Sequence, residues 1–160
     1  MKKIPLTKGR FTLVDDGDFE SLSHYKWTLT ENGKNLYAAM NIGPRGKNRK
    51  YYMHRIILGL TNSKILCDHK DRDSLNNQRD NLRICTKQQN NQNVSVKSHS
   101  SKYKGVCRCS RNNNLWRGVI KPNNGKQISV RFDSEKEAAL WYNKQAIIHY
   151  GEFAYQNQVA

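Results

Sequence analysis

The sequence predicts an α+β fold in which small sheets and short helices follow one another along the chain. Three observations carry this prediction. Residues 1–50 are β-rich, residues 65–93 read as strand, polar loop, strand and helix, and after residue 101 three strand-like runs precede one helix. With 160 residues, 36% of them hydrophobic, the composition favours small domains over one large core.

The N-terminal segment, residues 1–50, is the first predicted subdomain. Three acids in a predicted turn, Asp15, Asp16 and Asp18, lack the closing Glu of a calcium loop, so a solvated turn is the simpler interpretation. A basic loop over residues 43–50 is expected to contact phosphate groups without sequence preference.

The segment 65–93 has the pattern of a ββα unit. A short apolar run ends at Asp68-His69, and residues 71–80 are dense in the Asp, Asn and Ser that favour turns. Residues 82–85 alternate as a half-buried strand, and Thr86 can cap a helix that carries Asn90.

The adjacent Asp68 and His69 supply the chemistry for phosphodiester hydrolysis. The histidine can activate water as a general base, and the carboxylate is a hard oxygen ligand for Mg²⁺. A second oxygen ligand can come from Asn90 if the ββα unit brings its helix against the first strand. Mg²⁺ keeps several waters, so few protein ligands suffice.

This pattern resembles the HNH endonuclease family, in particular the homing type encoded by phages and introns. Five separated elements fall in the family's order between residues 50 and 93, and together they are specific where a lone Asp-His pair is not. The elements are His54-Arg55-Ile56-Ile57, Asp68-His69-Lys70-Asp71, Asn76-Asn77, Asn81-Leu82-Arg83 and Asn90.

The resemblance implies a metal-dependent DNA endonuclease that makes a nick or a double-strand cut. It implies that His69 is the general base and that Asp68 and Asn90 hold one Mg²⁺ or Mn²⁺ ion. It also makes Asn81 the family's central asparagine, which we expect to orient His69 through bonds across the loop.

Two further elements of the pattern receive structural roles. Asn76 and Asn77 are expected only to shape the turn. His54 is expected to be a packed core residue or to face phosphate, since a histidine in an apolar segment is more often structural than catalytic.

The C-terminal part predicts three antiparallel strands and a helix. The strands are expected at 103–109, 116–121 and 127–132, joined by Asn-rich turns of which the second contains Asn-Gly. Ser134 begins a capping box for the helix, and Gly151 ends it. The predicted domains are an N-terminal subdomain at 1–50, the nuclease unit at 51–92, a linker at 93–100 and a DNA-binding domain at 101–160.

This last domain resembles the AP2 DNA-binding domain. The motifs are Ser101 to Val106, Trp116, Phe132-Asp133, Glu137-Ala138-Ala139 and Tyr142. The resemblance implies that the exposed sheet face enters the major groove. Strand alternation places Cys107 and Cys109 on that face, where plant members usually carry arginine. The candidate DNA-binding residues are Arg108, Arg111, Arg117, Lys121, Lys126, Gln127, Ser129 and Arg131.

The net charge agrees with a polyanionic partner. The chain carries 28 Lys and Arg against 13 Asp and Glu, a formal charge of +15, and basic residues are in excess in every third. We therefore expect double-stranded DNA as the partner, with the chain acting as a monomer or homodimer. No apolar window is long enough for a membrane span, so a cytoplasmic protein of a phage or mobile element in a bacterial host is expected.

Two other functions stay open at this point. The first is a noncatalytic AP2-type DNA-binding protein whose HNH portion has decayed into a scaffold. The second is a structure-selective RNA nuclease. The intact Asp68, His69, Asn81 and Asn90 favour the DNA endonuclease.

Overall fold

The computed structural model describes residues 1–33, 35–44, 47–95, 100–110 and 114–159. The chain forms two compact units, residues 1–86 and residues 87–160. Small antiparallel sheets and short helices make up both units, in agreement with the predicted α+β class. Among the described residues, no helix is long and apolar enough to cross a membrane. Arg111 and residues 96–99 of the predicted linker lie outside the described residues.

The first unit contains three small sheets and two short helices within its described residues. Strands β1 and β2 form a hairpin, β3, β4 and β5 form a sheet in that order, and β6 pairs with β7. The elements are β1 (Lys2–Pro5), β2 (Phe11–Val14), α1 (Asp16–Ser23), β3 (Thr28–Asn32), β4 (Asn35–Ile42), β5 (Arg49–Tyr52), α2 (Met53–Ile57), β6 (Leu66–His69) and β7 (Leu82–Cys85).

Helix α1 replaces the solvated acidic turn that the sequence predicted. Asp16 and Asp18 lie in its first turn, where carboxylates interact favourably with the positive end of the helix dipole. Asp15 precedes the helix and accepts a hydrogen bond from the backbone N–H of Arg79 at 2.7 Å. Asp18 pairs with the Arg79 guanidinium through two bonds of 2.8 and 2.7 Å. Asp15 and Asp18 therefore anchor Arg79 to the N-terminal segment.

The core of the first unit joins its N-terminal strands to the segments that follow. Val14 of β2, Trp27, Met53 of α2 and Leu82 of β7 are all buried in one apolar cluster. Burial of such side chains contributes about 1.5–3 kcal/mol each relative to exposure. The N-terminal segment and the β6–β7 hairpin consequently share one core.

The second unit has the three antiparallel strands and the helix that the sequence predicted. Strand β9 lies between β8 and β10 in the sheet. Ser134 caps the long helix by accepting a hydrogen bond from the backbone N–H of Lys136, and Gly151 ends it at a φ of 56°. The elements are α3 (Lys87–Asn93), β8 (Val106–Arg108), β9 (Trp116–Ile120), β10 (Ile128–Phe132) and α4 (Glu135–Tyr150).

Two glycines allow helix α4 to pack closely on this sheet. A Cβ atom at Gly118 would lie 2.5 Å from the Trp141 ring, and one at Gly105 would overlap the Tyr142 ring. Gly105 also has a φ of 72°, a conformation that glycine adopts without steric cost. Both positions therefore require the absence of a side chain.

The expected burial is wrong at three positions of the sheet. Ile128 and Val130 were expected to face the helix but are 38% and 40% exposed, because β10 is an edge strand. Cys109 was expected on the outward face but is 5% exposed, because β8 ends at Arg108 and the chain turns inward there.

Candidate active site

The Asp-His pair ends strand β6, and its two side chains lie on opposite faces of the β6–β7 hairpin. Asp68 is opposite Arg83, and His69 is opposite Leu82. Leu82 belongs to the apolar core, so the strand that faces His69 is held in place by packing. Asp68 and His69 are themselves 9% and 7% exposed. The hairpin thus holds the Asp68 and His69 side chains in fixed positions.

A buried ion pair holds the Asp68 carboxylate. Arg83 donates to Asp68 Oδ2 from Nη2 at 2.7 Å and from Nε at 3.1 Å. Arg83 therefore orients the predicted metal ligand and compensates part of its charge.

The central asparagine of the pattern, Asn81, closes the loop between β6 and β7. Its Oδ1 accepts from the Asp71 N–H at 3.0 Å, and its Nδ2 donates to Asp71 Oδ1 and to the Asn76 carbonyl, both at 2.8 Å. Its own carbonyl accepts from the Lys70 N–H at 2.9 Å. Asn81 thus fixes the backbone directly after His69, and its role in orienting the imidazole stays a prediction.

The ring of His69 contacts a different asparagine. His69 Nε2 lies 3.3 Å from Oδ1 of Asn77, which is fully buried. Asn77 Nδ2 donates to Thr12 Oγ1 at 2.6 Å, and the Thr12 hydroxyl donates to the Leu75 carbonyl at 2.7 Å. Because the Thr12 proton points at Leu75, its oxygen must accept from the amide nitrogen of Asn77.

That chain of bonds determines the tautomer of His69. Asn77 presents its oxygen to the ring, and an oxygen acceptor requires a proton on Nε2. The lone pair of the neutral ring is then on Nδ1. His69 can accept a proton at that atom.

Strand β2 of the N-terminal segment holds the loop that carries Asn77. Leu13 N–H donates to the Leu75 carbonyl, and Asn77 N–H donates to the Leu13 carbonyl, each at 2.8 Å. Together with Thr12 these bonds join β2 to residues 75–77. The N-terminal segment, which the sequence left without a chemical role, therefore supports the candidate active site.

Aromatic side chains surround the two buried histidines. The His54 and His69 ring centroids are 5.2 Å apart in an edge-to-face arrangement. Tyr52 stacks on His54 at 5.6 Å, and Tyr37 lies 5.4 Å from His54 and 6.3 Å from His69. His54 is 8% exposed, which fits the packed core residue that was one of its two predicted roles.

Burial keeps both imidazoles neutral. It lowers the pKa of His69 below its usual value, while the bond to Asn77 and the charges of Asp71, Asp68 and Asp73 oppose this shift. Burial also lowers the pKa of His54 to about 3, with the His69 and Arg55 charges adding to the effect. A neutral His69 at pH 7 is in the protonation state that a general base requires.

Asn90, the second predicted metal ligand, lies on helix α3 of the second unit. Lys104 Nζ donates to the Asn91, Gln92 and Val94 carbonyls at 3.1, 2.7 and 2.7 Å, so it closes the C-terminal end of this helix. The compact units divide before this helix, whereas the predicted nuclease unit extended to residue 92. The pairing of Asn90 with Asp68 stays a prediction.

The donor chemistry of Asp68 and Asn90 fits a hard divalent cation. Both offer oxygen, and Asp68 is buried on a fixed strand. Within the described part of the chain, no cluster of three or more His, Cys, Asp or Glu side chains is arranged to hold a metal. Oxygen donors of this kind are ligands that Mg²⁺ and Mn²⁺ accept.

Of the predicted DNA-binding residues that the structure describes, Arg108, Arg117, Ser129 and Arg131 lie on strands of the second unit's sheet, and Lys121, Lys126 and Gln127 lie in the connection between β9 and β10. Arg117 of β9 is opposite both Cys107 and Arg131, so two arginines are neighbours across the strands. Arg117 Nη2 contacts Cys107 Sγ at 3.6 Å, and Arg108 stacks over the Trp116 ring at 4.1 Å. The exposed members are Arg108, Lys121, Lys126, Gln127, Ser129 and Arg131, while Arg117 is half-buried.

The sequence analysis did not identify the two residues that hold the His69 ring through hydrogen bonds, Asn77 directly and Thr12 through Asn77. Asn77 was expected only to shape the turn, and Thr12 was not considered. Because the hydrogen bond between Asn77 and Thr12 joins residues 65 positions apart, no local sequence pattern predicts it. The adjacent asparagines Asn76 and Asn77 were the one sequence feature that pointed to this position.

Two curated proteins are similar to this chain in sequence. The chain is 36% identical over 152 residues to an uncharacterized HNH endonuclease of Acanthamoeba polyphaga mimivirus, covering 95% of this chain and 77% of the relative. It is 35% identical over 89 residues to protein 3.8 of Escherichia phage T7, covering 54% of this chain and 71% of the relative. No family model and no solved structure matches.

The protein belongs to the HNH endonuclease family. The match to the mimivirus relative extends over nearly the whole chain, including the segment that carries Asp68 and His69. The family prediction from the five sequence elements is thereby confirmed.

Proposed function

We propose that the protein is a metal-dependent DNA endonuclease that hydrolyses phosphodiester bonds with His69 as general base. The observation that supports this proposal is the bond chain from Thr12 through Asn77 to Nε2 of His69, which holds a buried imidazole in one orientation.

In the proposed reaction His69 Nδ1 takes a proton from a water molecule. The water oxygen attacks phosphorus, the bond from phosphorus to the 3′ oxygen breaks, and the 5′ phosphate stays on the product. Asn77 holds the ring during proton transfer, and Asn81 holds the backbone on which the ring is mounted. Positioning of this kind lowers the activation barrier because the base is already held in its reactive geometry.

Asp68 and Asn90 would hold one Mg²⁺ or Mn²⁺ ion. Such an ion, when bound, stabilises negative charge on the phosphate and on the leaving oxygen. The assignment of Asp68 is supported by its buried oxygens on β6, and that of Asn90 rests on the resemblance. A role in homing also rests on the resemblance.

We also propose that the sheet of the second unit binds duplex DNA, as in the AP2 domain. The cross-strand pair of Arg117 and Arg131 supports this, since like charges directly opposite destabilise a sheet unless an anion compensates them. The predicted contacts of Arg108, Lys121, Lys126, Gln127 and Ser129 are supported by their exposure near this pair. Arg111 is kept as a predicted phosphate contact.

Cleavage of supercoiled plasmid tests the nuclease proposal. We expect relaxation in Mg²⁺ and none in EDTA, with 5′ phosphate ends on the products. Asp68→Ala and Asn90→Ala should raise the Mg²⁺ concentration needed, whereas Asn91→Ala, a neighbour on the same helix, should not. An inactive wild-type chain that still binds DNA would instead favour the noncatalytic alternative.

Salt-dependent binding tests the DNA-binding face. Arg117→Gln with Arg131→Gln should weaken duplex binding and reduce the salt slope by roughly one per lost phosphate contact. Lys144→Gln on helix α4 removes an exposed charge from a different element and serves as the control. Equal effects of the sheet and helix variants would refute the assigned face.

A further inference from the structure

A cavity of about 760 Å³ in the first unit has no part in the mechanism above. It lies between strand β5 and residues 55–63, which include part of α2 and the turn after it. Its volume falls within the range of about 300–1,000 Å³ typical of sites for small ligands. The cavity is therefore large enough for one small ligand.

One set of lining side chains is aromatic and aliphatic. Tyr51, Ile56 and Leu60 contribute to the wall, and Tyr51 and Ile56 are 38% and 36% exposed. A tyrosine ring and aliphatic groups in a concave surface form a platform for a flat, weakly polar group. The face of a nucleobase is such a group.

A second set is cationic. Arg49, Lys50 and Arg55 line the same cavity, and no acidic side chain is among the described residues that line it. The Arg55 guanidinium is held by the Ile65 carbonyl at 2.8 Å and the Asn62 carbonyl at 2.7 Å. Neutral carbonyls fix its position without cancelling its charge, so an anionic group nearby is favoured.

The cavity adjoins the candidate active site within the same unit. Tyr52 lines it and stacks on His54 at 5.6 Å, and the His54 ring is 5.2 Å from that of His69. A DNA strand with its scissile phosphate at His69 can therefore place a neighbouring nucleotide at the cavity.

We propose that this cavity binds one unpaired nucleotide of the cleaved strand, with its base against Tyr51 and its phosphate beside Arg49 and Lys50. The inference rests on the proposed function, because it assumes that DNA is positioned at His69. Duplex backbone needs only a charged surface, whereas an apolar concave wall is useful only to a base whose face is uncovered. The cavity thus favours substrates with an unpaired base near the cut.

Fluorescence anisotropy in EDTA tests the proposal without cleavage. The probes are a labelled oligothymidylate and a labelled duplex of equal length. Tyr51→Ala should weaken oligothymidylate binding about tenfold, the order expected for one stacked base, and leave duplex binding nearly unchanged. Tyr51→Phe keeps the ring and should bind like the wild type.

Tyr25→Ala is the matched control, since Tyr25 is 50% exposed in the same unit but does not line this cavity. Equal oligothymidylate affinity of the Tyr51→Ala and Tyr25→Ala variants would overturn the proposal, and so would an equal loss on both probes. Thermal melting checks that each variant is folded. If Tyr51→Ala does not fold, Ile56→Ala takes its place, and a selective loss on oligothymidylate is again required.

These outcomes are separate from those of the nuclease proposal. A wild-type chain that does not cleave but shows binding selectively dependent on Tyr51 refutes the nuclease and supports the cavity. A chain that cleaves in Mg²⁺ but binds oligothymidylate equally well with Tyr51→Ala supports the nuclease and overturns the cavity.

Discussion

Replacing Asn77 with alanine should damage catalysis more than substrate binding. Asn77 is fully buried and bonds His69 Nε2 at 3.3 Å and Thr12 Oγ1 at 2.6 Å. Alanine removes both bonds and leaves the imidazole without this orienting partner. A displacement of the base by about 1 Å can reduce a rate by about 10²-fold, so we expect a loss of that order in kcat with KM nearly unchanged.

The same substitution has a calculable effect on stability. Each buried polar group that loses its partner costs about 1–3 kcal/mol, so two such groups imply a decrease of about 2–6 kcal/mol in the free energy of unfolding. Urea denaturation measures this decrease, and cleavage is assayed below the denaturation midpoint. Asn76→Ala is the matched control, because the Asn76 side chain bonds Asp71 and not the His69 ring.

A conservative variant separates orientation from simple loss of structure. Asn77→Asp keeps an oxygen beside His69 and adds a negative charge, which raises the pKa of the imidazole. Since the base acts when deprotonated, the acidic limb of the pH–rate profile should move to higher pH. A wild-type kcat and profile for both Asn77→Ala and Asn77→Asp would refute the assigned positioning role.

Three further outcomes concern stability. Burial lowers the pKa of His54 from 6.5 in the unfolded chain to about 3 in the folded protein, so the unfolded chain binds the proton first as the pH falls and stability rises with pH across that window. In urea titrations, the free energy of unfolding should be about 2 kcal/mol lower at pH 5 than at pH 7 because of His54. The His54→Asn variant should lack this part of the pH dependence. Arg83→Met removes the guanidinium partner of buried Asp68 and should cost about 3–5 kcal/mol by the same assay, whereas the pair Asp68→Leu with Arg83→Met should cost less. Gly105→Ala should lower the free energy of unfolding by about 2–4 kcal/mol, because its Cβ overlaps the Tyr142 ring at a positive φ; unchanged melting would contradict the packing described.

Local patterns predicted the elements that depend on neighbouring residues. The alternation in Leu82–Cys85 and the capping residue Ser134 predicted a strand and a helix that the structure contains. The Asp-His pair was correctly placed at a strand end. In each case the determining interactions lie within a few residues, so the sequence window contains them.

Interactions between distant segments could not be predicted in this way. The bond from Thr12 to Asn77 and the ion pair of Asp18 with Arg79 join residues more than 60 positions apart. Helix α1 was missed because its acidic first turn resembles a polar loop until Arg79 supplies the countercharge. The exposure of Val130 was missed because alternation gives the face of a strand but not how far a helix covers it.

We infer that the buried imidazole of His69 accepts the proton from the attacking water. Single-turnover cleavage of plasmid DNA in saturating Mg²⁺ by the wild type and by His69→Gly, with and without added imidazole, tests this most directly. We expect His69→Gly to cleave about 10²-fold more slowly than the wild type, or slower still, and we expect imidazole to restore part of the rate. Cleavage by His69→Gly at the wild-type rate without imidazole would contradict it.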